Sequence, residues 1–183
     1  ELTPVTPIPS AEPVARTTPK VSAAEELNGL PQTNRPGKIV AFVASTGGPP
    51  ALERILGALP PTFPAPILIT QHIATGFVLS FASWLESSSS LTVKIAEHDE
   101  PLRAGTVLVA PDESHMTVTS GGRIKLLSSP PVDGHKPSGT PLLSSVAKAY
   151  GARGIGVILS GMGRDGVDGM KELKKVGGIT LAQ

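Results

Sequence analysis

The 183-residue chain contains no cysteine, and that absence removes disulfide scaffolds, cysteine-based zinc ribbons and thiol nucleophiles together. Any covalent chemistry has to run on oxygen or nitrogen. Charge of one sign is also missing: 16 Lys and Arg stand against 15 Asp and Glu, so no electrostatic footprint argues for nucleic acid or an anionic membrane as partner. Long apolar runs are absent. Stretches such as Ile67 to Ile69 or Ile155 to Leu159 fall well short of the ~20 residues that a membrane span needs. Glu1-Leu2-Thr3-Pro4 opens without the basic start and apolar centre of a signal peptide. The expectation is a soluble, cytoplasmic protein with no membrane insertion.

Residues 1–37 hold no aromatic residue but carry prolines at 4, 7, 9, 13, 19, 31 and 36. Such a segment buries too little apolar surface to offset its ordering entropy, so it reads as a Pro-rich flexible linker, with at most a helical turn at "AAEEL" (23–27). A linker normally joins two things, which predicts a domain upstream of it. From Lys38 to Gln183 one domain is expected.

There the pattern becomes short apolar runs alternating with helical periods. Strands are predicted at Ile39 to Ala44, Ile67 to Thr70, Leu91 to Ala96, Thr106 to Ala110, Ile155 to Ser160 and from Ile179. Helices are predicted at Pro49 to Ala58, with Leu52, Ile55 and Leu56 on one face, and near Phe77 to Leu85, Thr140 to Tyr150 and Val167 to Val176. Met116 to Leu127 reads as an antiparallel hairpin turning at "SGGR" (120–123). The alternation predicts an α/β fold: a three-layer αβα sandwich with a mostly parallel, doubly wound sheet and one antiparallel β-hairpin.

In such folds reactive groups gather at the carboxyl ends of the strands. Three ends carry polar groups: Ser45-Thr46 in "FVASTGGPP" (42–50), Gln71-His72, and "SGMGRDG" (160–166). Ser45 at a strand-to-helix turn would present its hydroxyl beside helix amides that stabilise developing negative charge. His72 can take the hydroxyl proton and Asp165 can orient the imidazole, which together make an acyl-transfer site.

Each residue has a plainer alternative. Ser45-Thr46 can be an N-cap, His72 a surface or capping residue, and Asp165 a cap for the helix after Gly166. The nucleophile elbow G-x-S-x-G is incomplete, because Val43 stands at its first glycine, and the order Ser, His, Asp differs from that of the α/β-hydrolases. Gly161-Met162-Gly163-Arg164-Asp165-Gly166 matches the dinucleotide fingerprint G-x-G-x-x-G. Yet no acid appears at 180–183, where a ribose partner is expected, and Asp165 would face a pyrophosphate. His98, His115 and His135 lie in "AEHDE", "DESHM" and "DGHKP" without metal-ligand spacing, so no metal or cofactor is expected. Ser87 to Ser90 reads as a loop.

"ASTGGP" (44–49), "ILITQHIATGF" (67–77), "VLVAPDESHM" (107–116), "HKPSGTPLLSSVA" (135–147) and "GVILSGMGRDGVDGM" (156–170) together resemble the catalytic domain of the bacterial chemotaxis protein-glutamate methylesterases, the CheB family. The resemblance implies a cytoplasmic serine hydrolase that removes methyl esters from glutamate side chains of methyl-accepting chemotaxis receptors, releasing methanol, and that in many members also deamidates receptor glutamines. It implies Ser45, His72 and Asp165 as catalytic residues, flanked by Thr46, Met162 and Gly163 as oxyanion or site-flanking groups. It implies two partners: the cytoplasmic helical domains of the receptors, and an upstream phosphorylatable receiver domain with its histidine kinase. Family members commonly carry glycine at the place of Val43 and an acid near Thr140, and continue past Ala182-Gln183. These departures predict a tighter approach to the Ser45 turn and an incomplete carboxyl-terminal end. A non-catalytic nucleotide-binding module and an inactive regulatory relative are the competing readings.

Overall fold

The computed structural model describes residues 37–161 and 163–183. The Pro-rich segment expected over 1–37 lies outside the described residues except for Gly37, and so does Met162.

The central sheet runs β1 (Ile39–Ala44), β2 (Ile67–Gln71), β3 (Thr92–Ile95), β4 (Thr106–Val109), β7 (Gly154–Leu159) and β8 (Ile179–Ala182). Its spatial order is β3-β4-β2-β1-β7-β8 and every pairing is parallel. β5 (His115–Val118) and β6 (Ile124–Leu127) pair antiparallel as a separate two-stranded sheet. The expected hairpin therefore stands apart from the six strands. Helices are α1 (Gly48–Gly57), α2 (Val78–Ser87), α3 (Gly139–Tyr150) and α4 (Val167–Lys175).

All six residues of β1 are buried, as a strand covered on both faces requires. Because successive side chains point to opposite faces, β1 feeds two cores. Val40, Phe42 and Ala44 pack with Leu52 and Leu56 of α1 and Phe81 and Leu85 of α2. Ile39, Ala41 and Val43 pack with Leu142, Leu143 and Val146 of α3, Leu173 of α4, and Met116, Val118 and Ile124 of the hairpin. Helices thus lie on both faces, giving the three layers expected. In α1 the predicted stripe holds, with Leu52 and Leu56 fully buried and Ile55 at the margin of the same core.

The order of the strands positions the site. From β1 the chain first builds outward through β2 and later returns to the other flank of β1 with β7. The carboxyl end of β1 is therefore the switch point, where no crossover helix covers the strand ends and a crevice opens. Ser45, His72 and Ser160 are the residues that follow β1, β2 and β7 there.

Candidate active site

Ser45 leaves β1 tied to both neighbouring strand ends. Its amide donates to the Ser160 carbonyl (3.1 Å), while the His72 amide donates to the Ala44 carbonyl (2.9 Å). Its own carbonyl accepts from the Gly48 amide (2.7 Å), which closes the turn into α1. The glycines of this turn are there for space. A Cβ on Gly48 would overlap the Gln71 side-chain oxygen, and one on Gly47 would overlap the Ser160 hydroxyl. No side-chain hydrogen bond caps α1, whose N-cap is Gly47. The capping alternative for Ser45 and Thr46 therefore fails, and among the described residues no hydrogen bond engages the Ser45 hydroxyl.

His72 meets Asp165 through Nε2 to Oδ2 at 2.7 Å, with side-chain exposures of 15% and 2%. Asp165 does not cap α4, whose N-cap is Gly166 with no side-chain bond. Its carboxylate is turned instead toward the start of α3. It accepts from the Gly139 amide (2.6 Å), the Thr140 amide (3.0 Å) and the Ser138 hydroxyl (2.5 Å) in addition to His72. Burial alone would push this carboxyl up, but the hydrogen bonds from His72, Gly139, Ser138 and Thr140 outweigh it and hold Asp165 well below the usual carboxylate range. The amino end of α3 favours the anion further.

This fixes the imidazole tautomer. An ionised carboxylate can only accept, so Nε2 carries the proton and Nδ1 keeps the lone pair available for a base. The nitrogen that faces away from Asp165 is the one that can receive a proton from an alcohol.

Ser45, His72 and Asp165 line one open cleft of about 330 Å³ together with Val43, Ala44, His135, Ile158, Leu159, Ser160, Gly161 and Gly163. The structure thus brings together the three candidate catalytic residues and Gly163. Thr46 is exposed and lies outside that lining, and Met162 is outside the described residues. Gly161 presses on the nucleophile candidate, since a Cβ there would stand 2.8 Å from Ser45 Cβ.

Several supporting residues escaped the sequence reading. Gln71 is buried, and its amide Nε2 donates to both the Ser45 carbonyl (2.8 Å) and the His72 carbonyl (2.9 Å), clamping two strand ends together. The doublet Gln71-His72 was the available signal, read only for its histidine. Ser138 is the N-cap of α3 and donates its hydroxyl to Asp165. His115 is fully buried and accepts the Ser138 amide at Nδ1 (3.1 Å) while its Nε2 donates to the Pro130 carbonyl (3.0 Å). His98 accepts the Leu126 amide (3.3 Å), and His135 stacks on His72. Among the described residues no group of three His, Asp or Glu is arranged to hold a metal ion, and no helix is long and apolar enough to cross a membrane.

Two departures noted in the sequence have physical outcomes. Val43 packs its methyl groups directly over the Cα of Gly139, the residue whose amide reaches Asp165. Thr140 does more than fill a place: its hydroxyl donates to Asp133 (3.0 Å) and accepts from the Gly166 amide (2.8 Å), bracing the loop that carries Asp165.

A buried, ionised carboxylate, an imidazole of fixed tautomer and a serine hydroxyl in one cleft form a constellation suited to acyl transfer. Comparison with known proteins agrees in kind. A protein-family model described as CheB methylesterase matches residues 40–183. "Protein-glutamate methylesterase/protein-glutamine glutaminase 3" of Anaeromyxobacter dehalogenans (strain 2CP-C) is 50% identical over 169 residues, 92% of this chain and 49% of its own length. "Protein-glutamate methylesterase FrzG" of Myxococcus xanthus is 45% identical over 168 residues, again 92% of this chain and 49% of its own. The chain therefore spans about half the length of these curated relatives. A solved structure, titled "Crystal structure of Thermotoga maritima CheB methylesterase catalytic domain", superposes with a TM-score of 0.76 at 40% identity, covering 79% of this chain and 78% of that one.

Proposed function

The chain belongs to the CheB methylesterase family, and from that premise we propose that it hydrolyses methyl esters of glutamate side chains on methyl-accepting chemotaxis receptors, with deamidation of receptor glutamines as a companion activity. The observation that carries this reading is the His72 to Asp165 contact at 2.7 Å in the cleft that Ser45 lines. The relatives named as methylesterases and glutaminases support the substrate class. The substrate's helical cytoplasmic region, an upstream receiver domain with its kinase, a cytoplasmic location, and a division into a linker at 1–37 and a catalytic domain at 38–183 belong to the same proposal.

In the proposed mechanism Ser45 Oγ attacks the ester carbonyl while His72 Nδ1 takes its proton. The imidazolium so formed is stabilised at Nε2 by Asp165. Backbone amides of Gly161, Gly163 and the start of α1 stabilise the oxyanion. Collapse of the tetrahedral intermediate returns the proton to the leaving methoxide, releasing methanol and leaving a glutamyl ester on Ser45. Water, activated by His72, then hydrolyses that ester to free serine and glutamate. A glutamine side chain follows the same route with ammonia leaving in place of methanol.

The nucleotide-binding alternative is disfavoured because Asp165, within the G-x-G-x-x-G stretch, turns inward onto His72 and the start of α3 rather than opening an anion cradle. The test is to incubate the protein with receptor fragments carrying methyl-esterified glutamates. Methanol appearing in step with new carboxylates is expected. A folded sample that releases none, or that binds a dinucleotide tightly, would overturn the reading.

A further inference from the structure

We infer, building on the esterase reading above, that His135 is a positioning residue for the base: its ring face holds the plane of the His72 imidazole. The two rings stack with centroids 3.7 Å apart and planes 2° from parallel. The bond to Asp165 fixes one atom of His72 and leaves the ring free to tilt about that N–H···O axis. Tilting swings Nδ1, the nitrogen that must meet the Ser45 proton. A flat ring at van der Waals distance across one face removes that freedom, while Nε2 keeps its bond to Asp165.

His135 is itself mounted rigidly. Val132 and His135 exchange backbone hydrogen bonds (3.1 and 3.0 Å) around Asp133 and Gly134, both at positive φ (51° and 79°). That is the two-residue turn for which Asp-Gly is the favoured pair. The Asp133 carboxylate accepts the Thr140 hydroxyl (3.0 Å), and Ser138, Gly139 and Thr140 all bond Asp165. One segment, 132–140, thus holds the face of the base and the acid together, so their separation and tilt are set by a single piece of chain.

The stacked arrangement also states what His135 does not do. An imidazole donates and accepts in its own plane, so a ring lying parallel to His72 cannot pass a proton to it. The effect runs through the ring face, and any flat aromatic ring of similar size supplies it.

The experiment compares His135→Ala and His135→Phe with the unaltered protein, reading kcat and KM for methanol release, the melting temperature, and the proton NMR signal of His72 Nε2–H. Aromatic pairing of this kind corresponds to a fold-change of about three to ten, so His135→Ala should lower kcat by roughly that factor with KM little changed. It should also shift or broaden the His72 signal, and His135→Phe should recover most of the lost kcat. An Ala variant with undiminished kcat would overturn the inference, as would a folded Phe variant as impaired as Ala. Should Ala fail to fold, the Phe variant decides alone. If the unaltered protein releases no methanol, the esterase reading fails while the His72 signal still tests the stack: a signal untouched by His135→Ala would overturn it.

Discussion

Replacing Asp165 by Asn probes the electrostatics of the site atom by atom. The two carboxylate oxygens have different neighbours. Oδ2 accepts from His72 Nε2 and the Gly139 amide, whereas Oδ1 accepts from the Ser138 hydroxyl and the Thr140 amide. An asparagine must place its NH2 at one of these positions. At Oδ2 it would confront the Gly139 amide and force His72 to the opposite tautomer. At Oδ1 it confronts only the Thr140 amide, the longest of the four bonds, because the Ser138 hydroxyl can rotate to accept. The second orientation wins, so Asp165→Asn should keep His72 in its Nε2–H tautomer.

What the variant loses is charge. Two unit charges 2.7 Å apart interact by about 6 kcal/mol at an effective dielectric near 20. With the proton about half transferred in the transition state, some 3 kcal/mol should be lost, or roughly a hundredfold in kcat. A tautomer switch in a serine-protease triad costs about 10⁴-fold, so the two accounts separate by magnitude. Methanol release measures the rate and nitrogen-15 NMR reads the tautomer. A 10⁴-fold loss with Nδ1 protonated would show instead that the asparagine amide sits at the Oδ2 position. Stability gives a second readout. The folded carboxyl lies below its unfolded value of about 3.9, so its contribution is fully present above that pH and is lost as pH falls toward the folded value. Below about pH 4, where the carboxylate itself takes up a proton, the chemical-denaturation stabilities of wild type and Asp165→Asn should converge. A gap that widens as pH falls below about 4 would contradict the assignment.

Gly139→Ala should destabilise the protein by about 1–3 kcal/mol, because the new Cβ would stand 2.9 Å from Val43 Cβ and overlap both Val43 methyl groups. In a denaturation double-mutant cycle Val43→Ala should relieve part of that cost, whereas strict additivity would show the two do not touch. Gln71→Ala removes donors to the Ser45 and His72 carbonyls, so a stability loss of about 1–3 kcal/mol and a fall in kcat should appear together. Reduced stability with full kcat would restrict Gln71 to the scaffold.

Most of the fold was legible because both sides of the β1 strand are buried: a run such as Ile39 to Ala44 has no polar face to confuse with a loop, and its ends agree with the expected ones. Where boundaries moved, local geometry moved them. The strand expected from Leu91 to Ala96 pairs with β4 only over Thr92 to Ile95, and α1 begins one residue before Pro49, at a glycine pressed between Ala44 and Gln71. Ser45, His72 and Asp165 could be named because each ends or follows a strand at the switch point. Ser138, His115 and His135 could not. Their roles depend on the 130–140 segment folding back across the strand ends, and neither spacing nor composition encodes that crossing. The Asp133-Gly134 pair marks the turn in the sequence, but only the folded chain shows which ring it delivers to His72.

The most direct test of the central claim compares methanol release from a methyl-esterified receptor fragment by the protein and by Ser45→Ala. The hydroxyl makes no hydrogen bond among the described residues, so removing it should leave the melting temperature in place. Release is expected from the first and none above background from the second; equal release by both would contradict Ser45 as the nucleophile.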